Sequence, residues 1–309
     1  MIIFETKKFM KKYDVVILTE SRYLNPEVID DYIQNVLTED GLILKELKKL
    51  GLKATRKDWD DKHFNWSEAK ILLIRSTWDY FHRFKEFKKW IEKVKSDSLL
   101  INTYEQVNWN FDKHYLKDLK KENINIPSSI FIKKGSDISL QEHMKKNKWD
   151  CIVVKPTISG AGRYTYKVDE NNIEKINNTY LELIKEEDFI IQEFQKNIVS
   201  KGEVAVVLID GEFTHAILKL AKKGDFRVQD DFGGTIHDYE PNQEMIEFAQ
   251  KSIKSLNPTP VYARVDIIWD NENKMAVSEL ELIEPELWFR NNPSSAVKIA
   301  KVLKEKVVI

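Results

Sequence analysis

Two acidic side chains near the C-terminal end of the chain have the spacing of a binding site. Glu279 and Glu281 alternate with apolar residues, a period that points both carboxylates to one face of a β-strand. Upstream, Arg264 and Asp266 share a face of a second β-rich run. Residues 270–273 between the runs predict a hairpin turn, which would gather the three carboxylates and the arginine. These groups suit Mg²⁺ bound to phosphates, whereas the alternative is the solvated face of an edge hairpin.

A glycine-containing loop follows a hydrophobic strand in the middle of the chain. Residues 151–155 predict a buried strand that ends in Lys155, and the loop after it contains Ser159, Gly160 and Gly162. Glycines let backbone N–H groups approach phosphate oxygens, and a lysine supplies positive charge. The loop is not a Walker A motif, because it lacks the glycine-lysine-serine/threonine ending and does not open a helix. An ordinary hairpin loop is the alternative interpretation.

Two further segments carry groups that suit a nucleotide. An apolar strand ends in Gln192, Glu193 and Phe194, where the backbone could hydrogen-bond adenine while a carboxylate meets the ribose or the exocyclic amine. Lys219 and Arg227 flank a charged loop, which could close its cations over a transferring phosphoryl group. Taken singly, the first is a common strand end and the second reads equally well as a solvated hairpin turn.

The N-terminal third predicts alternating strands and helices. Residues 13–19 and 69–76 are buried strands, and helical patterns cover 40–50 and 84–94. In open α/β sheets ligands bind at the carboxyl ends of the strands. Polar and aromatic residues at the end of the second strand are therefore candidates for a substrate site, with packing as the alternative for the aromatic ones: Arg75, Thr77, Trp78, Asp79 and Tyr80. Arg290, beside an aromatic pair, could also face substrate.

The remaining chain predicts two mixed lobes. A helix start capped by Asn110 or Asp112 marks a boundary near residue 107. Strands and helices then alternate from 129 to 199, and a hairpin turns at Asp210-Gly211. We expect an α/β N-terminal domain over residues 1–107, followed by α+β lobes over 108–194 and 195–309.

Composition narrows the class of protein. The 309 residues include 49 basic and 50 acidic side chains, so the net charge gives no attraction to nucleic acid or an anionic membrane. The single cysteine, Cys151, excludes an internal disulfide framework. No apolar run approaches the ~18 residues that span a bilayer, and no signal-peptide core opens the chain. We expect a cytoplasmic protein with small-molecule substrates; a homo-oligomer is compatible with the composition.

The order of the motifs resembles the ATP-grasp superfamily over roughly residues 108–300. In chain order they are Asp112-Lys113, Val154-Lys155-Pro156 with its glycine loop, Gln192-Glu193-Phe194, Lys201-Gly202-Glu203, Ala263-Arg264-Val265-Asp266 and Glu279-Leu280-Glu281. The resemblance implies two α+β lobes that grip MgATP. It places Lys113 and Lys155 on the phosphates with the 159–163 loop over them, Gln192, Glu193 and Phe194 at the adenine with Glu203 nearby, and Asp266, Glu279 and Glu281 on Mg²⁺.

A narrower resemblance is to the glutathione-synthetase-like branch that includes cycloserine-forming O-ureido-serine cyclo-ligases. Segments 75–80, 211–219, 224–229, 232–234 and 279–285 carry it. Many superfamily members have asparagine where this chain has Glu281. The extra negative charge favours a second metal ion, with Mn²⁺ as an alternative to Mg²⁺, or a more cationic substrate.

The resemblance implies an ATP-dependent ligase that joins a carboxylate to an amine through an acyl phosphate, releasing ADP and phosphate, on a small amino-acid-like substrate. Arg264, Arg227 and Lys155 would neutralise charge on the transferring group, so no side-chain nucleophile is required. Two alternatives stay open at this point. One is a nucleotide-binding module without turnover, and the other is a kinase on the same lobes.

Overall fold

The structure is a computed structural model that describes residues 11–228 and 233–308. These residues form three β-sheets that follow one another along the chain. The first sheet contains β1 (Tyr13–Thr19), β2 (Ala54–Asp58), β3 (Ala69–Ser76) and β4 (Leu99–Ile101), and the helices with it are α1 (Ser21–Leu24), α2 (Asp31–Lys49) and α3 (Phe84–Val94). Two helices follow it, α4 (Tyr104–Asn110) and α5 (Tyr115–Lys121).

The second and third sheets are antiparallel. The second contains β5 (Ser129–Ile132), β6 (Ile152–Pro156), β7 (Tyr166–Val168) and β8 (Phe189–Glu193), with helices α6 (Leu140–Asn147) and α7 (Ile173–Leu183). After α8 (Asn197–Lys201), the third contains β9 (Glu203–Ile209), β10 (Glu212–Leu220), β11 (Thr235–Tyr239), β12 (Tyr262–Trp269) and β13 (Met275–Glu281), with α9 (Gln243–Ile253). The last helix is α10 (Pro293–Val308).

The first sheet has a topology that creates a crevice. Its parallel strands lie in the order β2-β1-β3-β4, so the chain leaves β1 toward one side of the sheet and returns through β3 on the other. Connections that diverge from neighbouring strands leave a gap at their carboxyl ends, which is where ligands bind in open α/β sheets. The residues directly after β1 and β3 therefore border that crevice.

The predicted strands at 13–19 and 69–76, the predicted helix at 84–94 and the hairpin around Asp210-Gly211 are confirmed. Two helix starts are wrong. Helix α2 begins at Asp31 and not near residue 40, because the Asp30 side chain caps it by accepting from the Ile33 N–H. Asn110 ends helix α4 instead of starting a helix.

The Asn110 side chain has a tertiary role that outweighs its capping preference. Its amide donates to the Leu280 carbonyl and accepts from the Leu282 N–H, each at 2.8 Å. Helix α4 is started instead by Thr103 and Gln106, which form a reciprocal capping box. The helix thereby holds the end of strand β13 in place.

One hydrophobic core joins the first and third sheets. It contains Val15 and Ile17 of β1, Leu47 of α2, Val207 of β9 and Leu303 of α10, all fully buried. The second sheet has a separate core built on α6, α7 and its own strands. The predicted domain boundaries at 107 and 194 stay predictions.

The segment between β13 and α10, residues 282–292, is called the strap below. The Tyr262 hydroxyl donates to Ile283 O at 2.6 Å, and the Asn102 amide donates to Leu282 O at 2.8 Å. The buried Glu39 carboxylate accepts from the Leu287 and Phe289 N–H groups. The strap is thus fixed to β12 of the third sheet and also to Asn102 and α2, which accompany the first sheet. Within residues 11–228 and 233–308, no helix combines the length and apolar character needed to cross a membrane.

Candidate active site

A cleft of about 1220 Å³ lies among the three sheets, and most of the predicted site residues line it. Those in its wall are Trp78, Asp79, Tyr80, Lys113, Lys155, Ser159, Gly160, Gly162, Gln192, Glu193, Phe194, Glu203, Lys219, Arg227, Arg264, Asp266, Glu279 and Glu281. Arg75, Thr77 and Arg290 are not in its wall. The folding of the chain therefore gathers groups that are up to 200 residues apart in sequence.

The hairpin of β12 and β13 carries the charged centre of the cleft. Asp266 lies opposite Glu279 and Arg264 opposite Glu281. The Arg264 guanidinium holds the Asp266 carboxylate through two hydrogen bonds of 2.9 Å and also contacts Glu281. Although burial raises its pKa, Arg264 and Lys219 hold the pKa of Asp266 below its usual range. Asp266 is therefore a charged, fixed group.

Two lysines tie neighbouring parts of the cleft together. Lys219 Nζ lies 2.6 Å from Glu203 Oε1 and 3.1 Å from Asp266 Oδ2. Lys113 Nζ lies 2.9 Å from Glu279 Oε1 and donates to Ser159 O at 2.8 Å, so it joins the hairpin to the glycine loop. Burial opposes ionisation of Glu279, but the lysine ammonium groups of Lys113 and Lys155 lower its pKa to about 2.

Lys155 differs from these lysines. In the part of the chain that the structure describes, no carboxylate lies within ion-pair distance of its ammonium group. Burial lowers the pKa of Lys155 and the nearby positive charge of Lys113 adds to the effect, while the charge of Glu279 opposes it. A cation that is desolvated without a direct partner is suited to an anionic ligand.

Two acidic groups at the end of β13 and in the strap lack enough positive charge to offset their burial. Burial raises the pKa of Glu281 to about 7, and Asp266 and Glu279 add to the shift while Arg264 opposes it. Burial likewise raises the pKa of Glu284 to about 8, with a contribution from Glu281. Added positive charge would relieve this repulsion, and oxygen donors are what Mg²⁺ and Mn²⁺ prefer. The donor set thus fits a divalent cation.

The carboxylates are held by protein cations in this arrangement. Among residues 11–228 and 233–308, no three acidic, histidine or cysteine side chains converge at metal-binding spacing. Each acid is paired instead with a protein cation: Glu279 with Lys113, Asp266 with Lys219 and Arg264, and Glu281 with Arg264. The assignment of these three acids as metal ligands therefore stays a prediction.

The carboxyl end of β8 forms the part of the cleft where the sequence analysis expects adenine. Gln192 Nε2 donates to Ser129 Oγ at 2.9 Å, and the Glu193 and Phe194 N–H groups donate to neighbouring strands. Those two N–H groups are therefore already used within the protein. The Phe194 ring meets Phe226 edge to face at 5.9 Å, which brings the loop before Arg227 to this end of the cleft.

The loop that carries Arg227 is ordered by Asp225. The Asp225 carboxylate accepts from the Arg227 guanidinium at 2.7 Å and from its backbone N–H at 3.0 Å. These hydrogen bonds hold the pKa of Asp225 well below its usual range, although burial opposes them. Gln229 and Phe232, which contribute to the narrower sequence resemblance, lie outside the described residues.

Of the three predicted residues outside the wall, Arg75 and Arg290 have other partners and Thr77 is enclosed in the protein. Arg75 is buried, pairs with Glu39 and donates to Pro285 O at 2.8 Å, so it points toward α2 and the strap. Thr77 is fully buried, and Arg290 pairs with Glu286. Being at a strand end did not decide on which side of the sheet Arg75 would lie.

Trp78 and Asp79 follow β3 at the crevice, as expected. The Trp78 indole donates to Glu284 O at 2.8 Å, and Asp79 accepts from the Trp59 indole at 2.7 Å. Several lining residues escaped the sequence analysis: Glu20, Arg22, Tyr32, Asn35, Glu284 and Glu286. Glu20 stands directly after β1 as Trp78 and Asp79 stand just after β3, so the same strand-end rule would have identified it.

Comparisons with known proteins agree with this arrangement. The model of the prokaryotic glutathione synthetase ATP-grasp domain matches residues 123–278, just over half of the chain. The model of the N-terminal domain of D-cycloserine synthetase DcsG matches residues 15–102. The cycloserine biosynthesis protein DcsG of Streptomyces lavendulae is 25% identical over 283 residues, which cover 86% of this chain and 92% of that protein.

Solved structures show the same fold. The crystal structure of D-cycloserine synthetase DcsG superposes with a TM-score of 0.83 at 23% identity, covering 95% of this chain and 99% of that one. D-alanine–D-alanine ligase from Bacillus anthracis gives a TM-score of 0.62 at 16% identity, with 96% of each chain covered. The predicted ATP-grasp fold behind an α/β N-terminal domain is therefore confirmed. The chain belongs to the prokaryotic glutathione synthetase ATP-grasp family, carries a D-cycloserine synthetase-like N-terminal domain, and is an ATP-dependent ligase that forms C–N bonds.

Proposed function

We propose that this ligase activates a small carboxylate as an acyl phosphate, which an amine then attacks to form an amide. One bond forms between a carboxylate oxygen and the γ-phosphorus of ATP while ADP leaves. The amine nitrogen then bonds to the carbonyl carbon, phosphate leaves and the nitrogen loses a proton. The products are the amide, ADP and phosphate.

The observation that supports this proposal is the mixture of buried charges in one cleft. Lys113, Lys219 and Arg264 are paired with carboxylates, Lys155 is buried without such a pair in the described chain, and Arg227 lies on the adjacent loop. Pre-positioned cations in a site screened from water stabilise charge on a transferring phosphoryl group more than solvated cations do. Acyl transfer of this kind needs no side-chain nucleophile, since the acyl phosphate itself is the activated species.

We assign roles to individual residues on this basis. Lys155 and Lys113 bind phosphate oxygens, and the Ser159, Gly160 and Gly162 loop covers them. Arg264 and Arg227 neutralise charge at the phosphoryl and the carboxylate. Asp266, Glu279 and Glu281 would hold Mg²⁺ or Mn²⁺, which supplies positive charge to the nucleotide phosphates.

The DcsG relative extends the proposal. DcsG of Streptomyces lavendulae is a cycloserine biosynthesis protein, and the crystal structure of DcsG is that of a D-cycloserine synthetase. Ring closure within one substrate is thus a second form of the same chemistry, with the amine and the carboxylate in one molecule. Product mass distinguishes the two forms, because a cyclised product contains a single substrate molecule.

Hydroxylamine trapping tests the acyl phosphate. With MgATP and a panel of small carboxylic acids, hydroxylamine should intercept the mixed anhydride and give a hydroxamate with stoichiometric ADP and phosphate. A product that retains phosphate would identify a kinase. Since a closed site can exclude hydroxylamine, exchange of the β,γ-bridging oxygen of ATP in the presence of the carboxylate is measured as well. If every acid in the panel gave neither hydroxamate nor oxygen exchange, the proposal would be contradicted.

A further inference from the structure

A tryptophan of the strap lies against the charged centre of the cleft. Trp288 is 2% exposed and belongs to the cleft wall. The guanidinium carbon of Arg264 lies 5.2 Å from the centre of its ring, and Lys219 Nζ lies 5.8 Å from the same centre. A cation within ~6 Å of an aromatic face is attracted by the ring, most strongly where water is excluded.

Two features of Trp288 have a cost in stability that packing alone does not explain. Its φ of 46° is left-handed, a region in which residues other than glycine are uncommon and strained. Its buried indole N–H has no hydrogen-bond partner within residues 11–228 and 233–308, whereas a buried tryptophan usually has one. The ring is therefore placed so that its face, and not its N–H, meets a partner.

The strap holds Trp288 in this conformation from both sides. The Glu39 carboxylate accepts from the N–H groups of Leu287 at 3.0 Å and of Phe289 at 3.2 Å. The Trp288 carbonyl accepts from the Asn291 N–H at 2.9 Å. A strained backbone persists only where the surrounding contacts impose it, and such strain is concentrated at functional sites. The fixed backbone thus sets the direction of the indole ring.

The two cations against the ring share one acceptor. Asp266 Oδ2 accepts from the Arg264 guanidinium at 2.9 Å and from Lys219 Nζ at 3.1 Å, so the two cations lie side by side. Like charges at this separation repel each other, all the more where water is excluded. The electron-rich face of Trp288 offsets part of that repulsion without adding a charge.

The acids that hold Arg264 are also the ones proposed above to take a metal ion. Asp266 and Glu281 pair with Arg264, and a divalent cation on these carboxylates would compete with that pairing. Two other contacts of Arg264 involve no carboxylate. They are the ring of Trp288 and the Glu286 carbonyl, which accepts from the guanidinium at 3.3 Å. Because an indole ring is not a ligand that Mg²⁺ prefers, the metal does not compete for this contact.

Resting on the proposed function, we propose that Trp288 is a positioning residue, whose ring keeps the Arg264 guanidinium at the transferring phosphoryl group while a metal ion occupies the carboxylates. Arg264 touches the reacting atoms, and Trp288 acts through it. A carboxylate in the place of the ring would itself be drawn to the metal, whereas an aromatic face holds the arginine in both states.

Two substitutions of Trp288 test the role of the ring in the hydroxamate assay. Trp288→Phe keeps an aromatic face and removes the unpaired N–H, whereas Trp288→Leu removes the face. Trp288→Leu should lower kcat by about 10- to 30-fold with the KM for ATP within about twofold of wild type, and Trp288→Phe should lower kcat no more than about fivefold. Equal losses in both variants would mean that the N–H acts and not the face, and would overturn the proposal. Wild-type kcat in Trp288→Leu would overturn it as well.

A second buried tryptophan controls for the loss of packing. Trp66 is 8% exposed, packs in a core of the first sheet and is not in the cleft wall. Trp66→Leu should lower the thermal midpoint, as Trp288→Leu does, but keep wild-type kcat when both are assayed well below their midpoints. An equal loss of kcat in Trp66→Leu would assign the effect to lost packing and overturn the positioning role.

Nuclear magnetic resonance of the arginine side chains tests the contact without catalysis. The Arg264 Nε–H signal, identified by its absence in Arg264→Lys, should lie upfield of its position in Trp288→Leu because of the indole ring current. It should stay upfield when Mg²⁺ and a non-hydrolysable ATP analogue are added. If no acid in the panel is turned over, the proposed function fails and this measurement alone decides the inference. An Arg264 signal without the upfield shift, or one that loses it when metal and nucleotide bind, overturns the inference.

Discussion

Lys155 and Lys219 both face the cleft, but they differ in what neutralises them. Lys219 is buried between Glu203 and Asp266, and these carboxylates raise its pKa although burial opposes them. Lys155 has no such direct pair in the described chain, and burial lowers its pKa. Lys219 is therefore part of the framework of the cleft, whereas the charge of Lys155 is available to a ligand.

Replacing each lysine by methionine should separate these roles. Lys219→Met leaves Glu203 and Asp266 with an uncompensated buried charge, so the free energy of unfolding should fall by about 3–5 kcal/mol. Lys155→Met should change the free energy of unfolding by less than about 1 kcal/mol. It should weaken binding of an ATP analogue, measured in the presence of Mg²⁺, at least ~10-fold. Urea unfolding and calorimetric titration measure the two quantities. Wild-type nucleotide affinity in Lys155→Met would remove this residue from the phosphate site.

His215 gives a prediction for pH. Burial lowers its pKa from 6.5, while its hydrogen bond to Leu287 O, at 2.7 Å, and nearby acids oppose the shift. Below pH 6.5 the unfolded chain then binds a proton that the folded protein binds less readily, so stability is lost as pH falls. The slope per proton is at most about 1.4 kcal/mol per pH unit.

His215→Gln should remove this contribution. The difference in unfolding free energy between wild type and variant should be constant from pH 8 to 7 and should shift in favour of the variant between pH 6.5 and 5. Urea unfolding at each pH measures it, and subtraction removes the carboxylates that titrate in both proteins. A difference that stays constant down to pH 5 would contradict the assigned pKa shift.

At the scale of elements, the glycine loop after β6 packs directly on the first sheet's crevice. A Cβ added to Gly160 would lie 2.6 Å from the Phe81 ring, closer than carbon atoms can approach. Phe81 is itself mostly buried and lines the cleft. The absence of a side chain at residue 160 thus permits a contact between the glycine loop and the segment that follows β3.

A double-mutant cycle tests that contact. Gly160→Ala should displace the loop and lower kcat/KM about tenfold, since overpacking costs roughly 1–3 kcal/mol. Phe81→Leu alone should have a smaller effect, and combining it with Gly160→Ala should restore much of the loss because the smaller side chain makes room. The hydroxamate assay measures all four proteins. If the effects of the two single substitutions on kcat/KM simply added in the double variant, the loss caused by Gly160→Ala would not arise from its contact with Phe81.

The sequence predicted elements best where burial is uniform along a strand. The apolar runs of β1 and β3 gave their bounds directly, and alternation in β13 placed Glu279 and Glu281 in the cleft. The roles of side chains that contact residues far away in the sequence could not be predicted in this way. Asn110 resembles a helix cap but bridges Leu280 and Leu282. Arg75 stands at a strand end but is drawn to Glu39 of α2, a partner that no local pattern reveals.

At the scale of the whole molecule, we expect the hydrophobic cores, and not consecutive segments of the chain, to define which parts unfold together. Strand β1, near the start of the chain, shares one core with β9, which lies in the third sheet, and with α2 and α10. The Glu39 contacts to the strap add polar connections between the same parts. The second sheet, over residues 129–193, is packed on its own core. We therefore expect the first and third sheets to open together and the second to open separately.

Matched leucine-to-alanine substitutions test this expectation by hydrogen exchange. Leu303 in the shared core and Leu140 in the core of the second sheet are both fully buried, so each alanine should cost about 2–5 kcal/mol. Leu303→Ala should speed exchange in both β1 and β9, although only β9 belongs to the same sheet as β13, the last strand before α10. Leu140→Ala should speed exchange in residues 129–193 and leave β1 protected. If Leu303→Ala sped exchange in β9 but not in β1, the first sheet would unfold as an independent unit. A substrate bound at the crevice of that sheet would then be positioned relative to the third sheet by surface contacts and not by a shared core.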